Sequence, residues 1–248
     1  MDGGDLKRKL IFTSFERLSV LGKLELLRLE WNSFNNNILS FLGVLSSLKT
    51  LSLSTNHLTG SIDIGEFRNI NNLEELDLSH NLIEDIKVCE DGGDLKWKLI
   101  FAGFERQSVL GKLELLDLSY NLFNGIIPSL VFLSSLKTLN LQGINLNGSI
   151  DIGEFHNMSN LKEMDLRDNH IDYIKGLDEL KHLQELYLDY SSIDKIFLHN
   201  VGELSSLRVL TLRNISLNGS LPNQDKMSEL GITSFISQVG VNFLTSKS

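Results

Sequence analysis

The sequence predicts an α/β repeat solenoid of about eight units, with one parallel β-sheet lining its concave face. Three observations predict it. The pattern LxxLxLxxN recurs along the chain, and most of its units start 22 to 25 residues apart. Each unit breaks at asparagine or glycine and then resets, which separates it from the unbroken heptads of a coiled coil. The chain also copies itself, because GSIDIGEF stands at Gly60–Phe67 and again at Gly148–Phe155.

The copying extends beyond the octapeptide. Asp2–Leu27 returns at Asp91–Leu116 with four substitutions in 26 positions, and Ser46–Lys87 returns at Ser134–Lys175 with 26 of 42 positions identical. Inside the copies, five units keep the full pattern: LELLRLEWN (Leu24–Asn32), LKTLSLSTN (Leu48–Asn56), LEELDLSHN (Leu73–Asn81), LELLDLSYN (Leu113–Asn121) and LKEMDLRDN (Leu161–Asn169). Three replace the asparagine: LKTLNLQGI (Leu136–Ile144), LQELYLDYS (Leu183–Ser191) and LRVLTLRNI (Leu207–Ile215). The two leucines of LxL face one side of a strand, so stacked units bury a continuous core that a single unit lacks. The asparagine amide suits the turn that follows, where it pairs backbone groups left open by the bend. Ile144, Ser191 and Ile215 are therefore expected to weaken their rungs, with serine keeping a reduced hydrogen bond.

This pattern resembles the leucine-rich repeat proteins, which implies a right-handed superhelix. Tails such as NLFNGIIPSL (Asn121–Leu130), HLTGSI (His57–Ile62), NLNGSI (Asn145–Ile150) and SLNGSLP (Ser216–Pro222) narrow the resemblance to the plant extracellular class. The glycine in them is expected to permit a bend that a β-carbon would crowd. The stretch Gly103–Asn124 is similar to the kinase-free receptor-like proteins of the plant cell surface. That resemblance implies ligand binding on the concave face of an ectodomain, signalling through a co-receptor kinase in defence or development, and a plasma-membrane or extracellular location. The units ending in IEDIK, IDYIK and IDKIF match the tail less well.

Three segments divide the chain: a partial repeat at 1–23, a solenoid at 24–225 with an irregular insertion at 88–112, and a tail outside the pattern at 226–248. The insertion, which holds Cys89 and Trp97, reads either as a projecting loop or as a degenerate repeat with a strand near Leu99–Phe101. The N-terminal MDGGDLKRKLIF does not read as an export signal, and no run approaches the roughly 20 apolar residues of a membrane span. The chain as given reads as soluble. Uncapped end repeats would expose apolar faces, and self-association is expected of them.

Composition narrows the function. With 23 basic against 32 acidic residues and a net charge of -9, the chain lacks the basic stripe that a nucleic-acid partner requires. One cysteine makes neither an internal disulfide nor a zinc cluster. No HExxH, phosphate loop or kinase motif is present, so neither an enzyme nor a cofactor site is expected.

Strand phase assigns the outward face. It takes in Arg28, Glu30 and Trp31, then Glu75, Asp77 and His80, then Asp117 and Tyr120, and Glu163 and Glu185 on later units. The expected contact patch is Asp165, Arg167, Asp168, Tyr187, Asp189, Tyr190 and Arg213, with Tyr120, where charge and aromatic surface meet on consecutive rungs. Acids outnumber bases there, which favours a peptide or protein ligand with basic or hydroxyl groups. Sequons at Asn147, Asn157, Asn214 and Asn218 are compatible with secretion. Three readings of function stand: a ligand-recognition segment of a receptor-like protein, a stand-alone soluble scaffold or enzyme inhibitor, and a non-functional truncated product of duplication.

Overall fold

The computed structural model describes residues 21–67, 69–87, 110–123, 130, 133–155, 157–194, 197, 201 and 204–218. Most of the 1–23 segment, Cys89 and Trp97 of the insertion, and the 226–248 tail lie outside the described residues.

Each of the eight leucine units contributes one three-residue strand: β1 (Leu26–Arg28), β2 (Thr50–Ser52), β4 (Glu75–Asp77), β6 (Leu115–Asp117), β7 (Thr138–Asn140), β9 (Glu163–Asp165), β11 (Glu185–Tyr187) and β13 (Val209–Thr211). They pair in that order into one parallel eight-stranded sheet without a slip, so Leu51, Leu76, Leu116, Leu139, Met164, Leu186 and Leu210 stand in one column behind it. The LxL spacing sends that column and the next leucines, Leu53, Leu78, Leu118, Leu141, Leu166 and Leu188, into a core where each but the partly buried Leu210 is at most 3% exposed. β4 pairs directly with β6, so the insertion adds no rung between them. Residues 88–109, with the expected loop or strand near Leu99–Phe101, lie outside the described residues.

The tails behave as a second layer. β3 (Thr59–Asp63) pairs with β5 (Leu82–Lys87), β8 (Asn147–Asp151) with β10 (His170–Lys175), and β12 (Ser192–Asp194) with β14 (Ser216–Asn218), all parallel. The GSID tails and the less regular IEDIK and IDYIK tails are thus partners, one of each kind in two of these pairs. Helix is scarce among the described residues: one six-residue α1 (Asn37–Leu42) and 3-10 turns at Ile64–Phe67, Ile152–Phe155 and Leu177–Glu179. The described tails are mostly extended pairs, and Phe197 is also helical. A β-carbon on Gly60 or Gly148 would meet nothing within 4 Å, so crowding is not the reason for glycine there. The reason is their backbone, at φ 62° and 74°.

Asparagine holds the rungs together. Asn81 Nδ2 donates to the carbonyls of Leu78 and Ser79 on its own rung and Leu53 on the preceding one, at 3.0 to 3.1 Å, while its Oδ1 accepts from Leu58 N–H at 3.0 Å. Asn56, Asn121 and Asn169 repeat that set of four bonds with their own neighbours. Ile144 and Ile215 fill the same position at 0% and 2% exposure with no polar group at all. Ser191 is only 3% exposed, and its Oγ has no hydrogen-bond partner, so the reduced bond expected of serine is not made. Its side chain is one bond too short to span the turn as asparagine does.

Two outcomes test this core. Leu118→Ala should lower the unfolding free energy by about 2 to 5 kcal/mol in urea melts, as expected for a fully buried leucine. Ser191→Asn should raise it by about 1 to 2 kcal/mol, by supplying the amide that four other rungs carry.

Candidate functional site

The structure separates the predicted contact residues into two groups. Asp165, Arg167, Tyr187, Asp189 and Arg213 lie across the C-terminal rungs of the sheet, whereas Tyr120, Asp168 and Tyr190 belong to a row along its rim. The rim residue is the one before the asparagine position, and on every rung it has left-handed backbone: Trp31, Thr55, His80, Tyr120, Gly143, Asp168, Tyr190 and Asn214, with φ between 51° and 63°. For residues other than glycine this conformation is uncommon. Here the turn imposes it eight times, whether asparagine follows or not.

Across β9 and β11 the side chains form a closed set. Asp165 is 6% exposed, and its Oδ2 accepts from Arg167 Nε at 2.9 Å and Nη2 at 2.5 Å. The Arg167 guanidinium carbon lies 5.5 Å from the centre of the Tyr187 ring, a cation–π arrangement that keeps the ring's plane beside the ion pair. The Tyr187 hydroxyl donates to Glu185, and that bond, with burial and the carboxylate's charge behind it, pushes the phenol up to about 12. Glu163 sits in register with Glu185 on the adjacent strand, and burial followed by that like charge raises its carboxyl.

Asp165 and Asp189 were expected on a solvated face, but both are buried, at 6% and 5% exposure. The cause is local. Asp77, Asp117, Asn140 and Asp165 each end a strand and accept the backbone N–H two residues on, at 2.8 to 3.0 Å. Asp189 Oδ1 accepts Arg213 N–H from the next rung at 2.7 Å. Much of the acid excess on this face therefore serves the turns, and the acids' count alone does not specify a basic ligand. Burial raises the Asp117 carboxyl, against the bonds from Ser119 and Asn140 that lower it.

The residues left open are Tyr190 at 58% exposure, exposed Arg213, and the outer edges of Arg167, Asp168 and Tyr187. On the rim, Tyr120 stacks on His80 with ring centres 4.4 Å apart, and its hydroxyl donates to Asp168 Oδ2 at 3.3 Å. Gly143 makes room between them, since a β-carbon there would lie 2.8 Å from the Tyr120 ring. Sequence reasoning missed Gly143, Gln142, Leu82 and Leu122 in this row. The signal was present as two exposed positions flanking each buried asparagine, but two-residue alternation does not predict a left-handed turn. Among the sequons, Asn147, Asn157 and Asn214 are exposed. Among the described residues no three His, Cys, Asp or Glu side chains gather as metal ligands, and no helix is long and apolar enough to cross a membrane.

Three family models described as leucine-rich repeats match the chain, over residues 134–193, 46–91 and 112–132, together about half of its 248 residues. Receptor-like protein 13 of Arabidopsis thaliana is 32% identical over 147 residues, 59% of this chain and 13% of that protein. Receptor-like protein 41 of the same plant is 34% identical over 168 residues, 66% of this chain and 17% of its own length. The chain thus spans less than a fifth of either relative. The crystal structure of a TDR receptor superposes with a TM-score of 0.60 at 26% identity, over 81% of this chain and 32% of that one. The Arabidopsis receptor kinase HAESA, solved with the peptide hormone IDA and the co-receptor SERK1, gives 0.51 at 24% identity over 81% and 36%, a likeness of fold.

The closed set on β9 and β11 makes one prediction. Tyr187 has a raised pKa in the folded protein, so its contribution to stability is complete below the ordinary value of 10 and is lost as pH climbs through about 12. A tyrosinate absorbance titration should show one late phase that Tyr187→Phe removes.

Proposed function

Because the chain belongs to the leucine-rich repeat family and its repeats resemble those of plant receptor-like proteins, we propose that it is a ligand-recognition segment of such a protein. Its ligand is a peptide or protein held on the concave face at the C-terminal rungs. The observation that carries this reading is the preset arrangement of Asp165, Arg167, Tyr187 and Glu185, flanked by open Tyr190 and Arg213. Long side chains that are already fixed lose little rotamer freedom on binding, and tyrosine and arginine are the residue types that most often anchor interfaces. Eight strands about 4.8 Å apart span roughly 34 Å, which accommodates about ten residues of extended peptide.

Asp165 and Asp189 act behind this face rather than on it. Asp165 holds Arg167 in place, and Asp189 holds the backbone at Arg213, while Asp168, Arg167, Tyr187, Tyr190 and Arg213 meet the ligand. The role is binding rather than catalysis, because the buried carboxylates are already engaged by the protein's own donors. A co-receptor kinase is the corresponding signalling partner, and the location is extracellular or at the plasma membrane, where exposed Asn147, Asn157 and Asn214 would accept glycans.

The test is retention of peptides from plant extracellular fluid by the immobilised chain, read by mass spectrometry. A Tyr190→Ser, Arg213→Glu double variant should release the retained peptide, with affinity lower by about 2 kcal/mol or more and melting unchanged. Equal retention by the wild type and the variant would remove the C-terminal rungs as the binding site.

A further inference from the structure

Among the described residues, five of the eight exposed large hydrophobic side chains lie on one flank. Of the large hydrophobic residues left open, Trp31, Tyr120 and Tyr190 precede the asparagine position of their rungs, and Leu82 and Leu122 follow it. On the third and fourth rungs the two positions coincide. His80 and Tyr120 stack there, and Leu82 and Leu122, 47% and 43% exposed, follow the buried Asn81 and Asn121 on the same two rungs. Those rungs are direct neighbours, since Leu122 N–H donates to Ile83 O at 2.8 Å. The other rungs carry mostly polar pairs at these positions, such as Thr55 with His57 and Asp168 with His170.

Tyr120 is held before any partner arrives. His80 covers one side of it, Gly143 leaves room for its ring, and Asp168 accepts its hydroxyl proton, with Gln142 Nε2 donating to the same Asp168 oxygen at 2.6 Å. An anchor fixed in this way needs little ordering on association. The nearby cation, Arg167, is already tied to Asp165. Across the described rungs, the positions one before, one after and three after each asparagine position contain no lysine or arginine, whereas Glu84, Asp168 and Asp172 are acidic. An apolar centre with an acidic rim suits a partner that brings apolar side chains and cations together.

We propose that the rim of the third and fourth rungs is a second docking surface, for a protein segment that sets an aliphatic side chain on Leu82 and Leu122. An arginine or lysine of that segment lies along His80 and Tyr120, facing Glu84. The planar stacked pair favours a guanidinium, which packs on aromatic rings while it pairs with carboxylates. The surface lies about three rungs, roughly 14 Å, from Tyr190 of the concave patch, so one chain has room for both contacts.

A displayed library of random twelve-residue peptides, selected on the full chain and counter-selected on a Leu82→Ser, Leu122→Ser double variant, tests the proposal. Enriched peptides should join an aliphatic residue to arginine or lysine. Their affinity should fall at least about tenfold in the double variant and in Glu84→Lys, and hold in Arg213→Glu. Failure to enrich, a polar or acidic consensus, or equal binding to both proteins would overturn it. Dimerisation of the wild type in sedimentation, abolished by the double variant, would also overturn it by assigning the patch to a second copy of this chain. Glu84→Lys decides the question alone if the double variant fails to melt as the wild type does.

Discussion

The rest of this structure depends on one side chain, the buried asparagine that closes four of its eight strands. Its amide joins three carbonyls and one N–H from two successive rungs, so it fixes the turn and the stacking together. A three-residue strand alone has too few ladder bonds to hold its register. Four internal asparagines, each 5% exposed or less, provide that register from within. Leaving such turn carbonyls unpaired in a dry core costs about 1 to 3 kcal/mol each, comparable to a noticeable fraction of a domain's net stability. Where isoleucine replaces asparagine, at Ile144 and Ile215, burial of the branched side chain offsets part of that loss. Ser191 has neither remedy, and its Oγ is left without a hydrogen-bond partner.

The asparagine also shapes the surface. The residue before its position turns left-handed on every rung, and that turn projects its side chain from the rim instead of along the strand's alternation. The acids at the strand ends accept the N–H groups of the same turn. The same turn geometry removes Asp165 from the solvated face and sets Tyr120 and Tyr190 outward.

Much of the fold was legible in the sequence because leucine spacing and strand phase are both local. The eight units, their order and their parallel register follow from LxxLxLxxN, and so does the column from Leu51 to Leu210. The candidate site was less legible. Alternation predicts which side of a strand Asp165 occupies, but not that Arg167, two residues away, folds back to cover it. Tyr187 was readable as outward, whereas its bond to Glu185 rests on the rotamers of two side chains on one strand. The pairing of GSID with IEDIK was hidden because the two tails look unlike each other in sequence and are alike only in being extended.

The internal duplication bears on function more directly than the fold does. Ser46–Lys87 and Ser134–Lys175 are two copies of one two-rung block, and only Asn56 with Ile144, Ile70 with Met158 and Leu76 with Met164 differ at positions buried in both copies. Most of the other described differences fall on the outward strand positions and the flank. Ser79 became or came from Arg167, His80 pairs with Asp168, Leu82 with His170 and Glu84 with Asp172. A change confined to stability would be felt in the packed interior, where a single methylene matters. Here the interior is nearly unchanged and the surface is rewritten, from an apolar rim in the first copy to a charged one with an arginine in the second. The same backbone therefore presents two chemically distinct faces along one sheet, which is the arrangement a protein needs if its successive rungs are to meet different parts of a ligand or different partners.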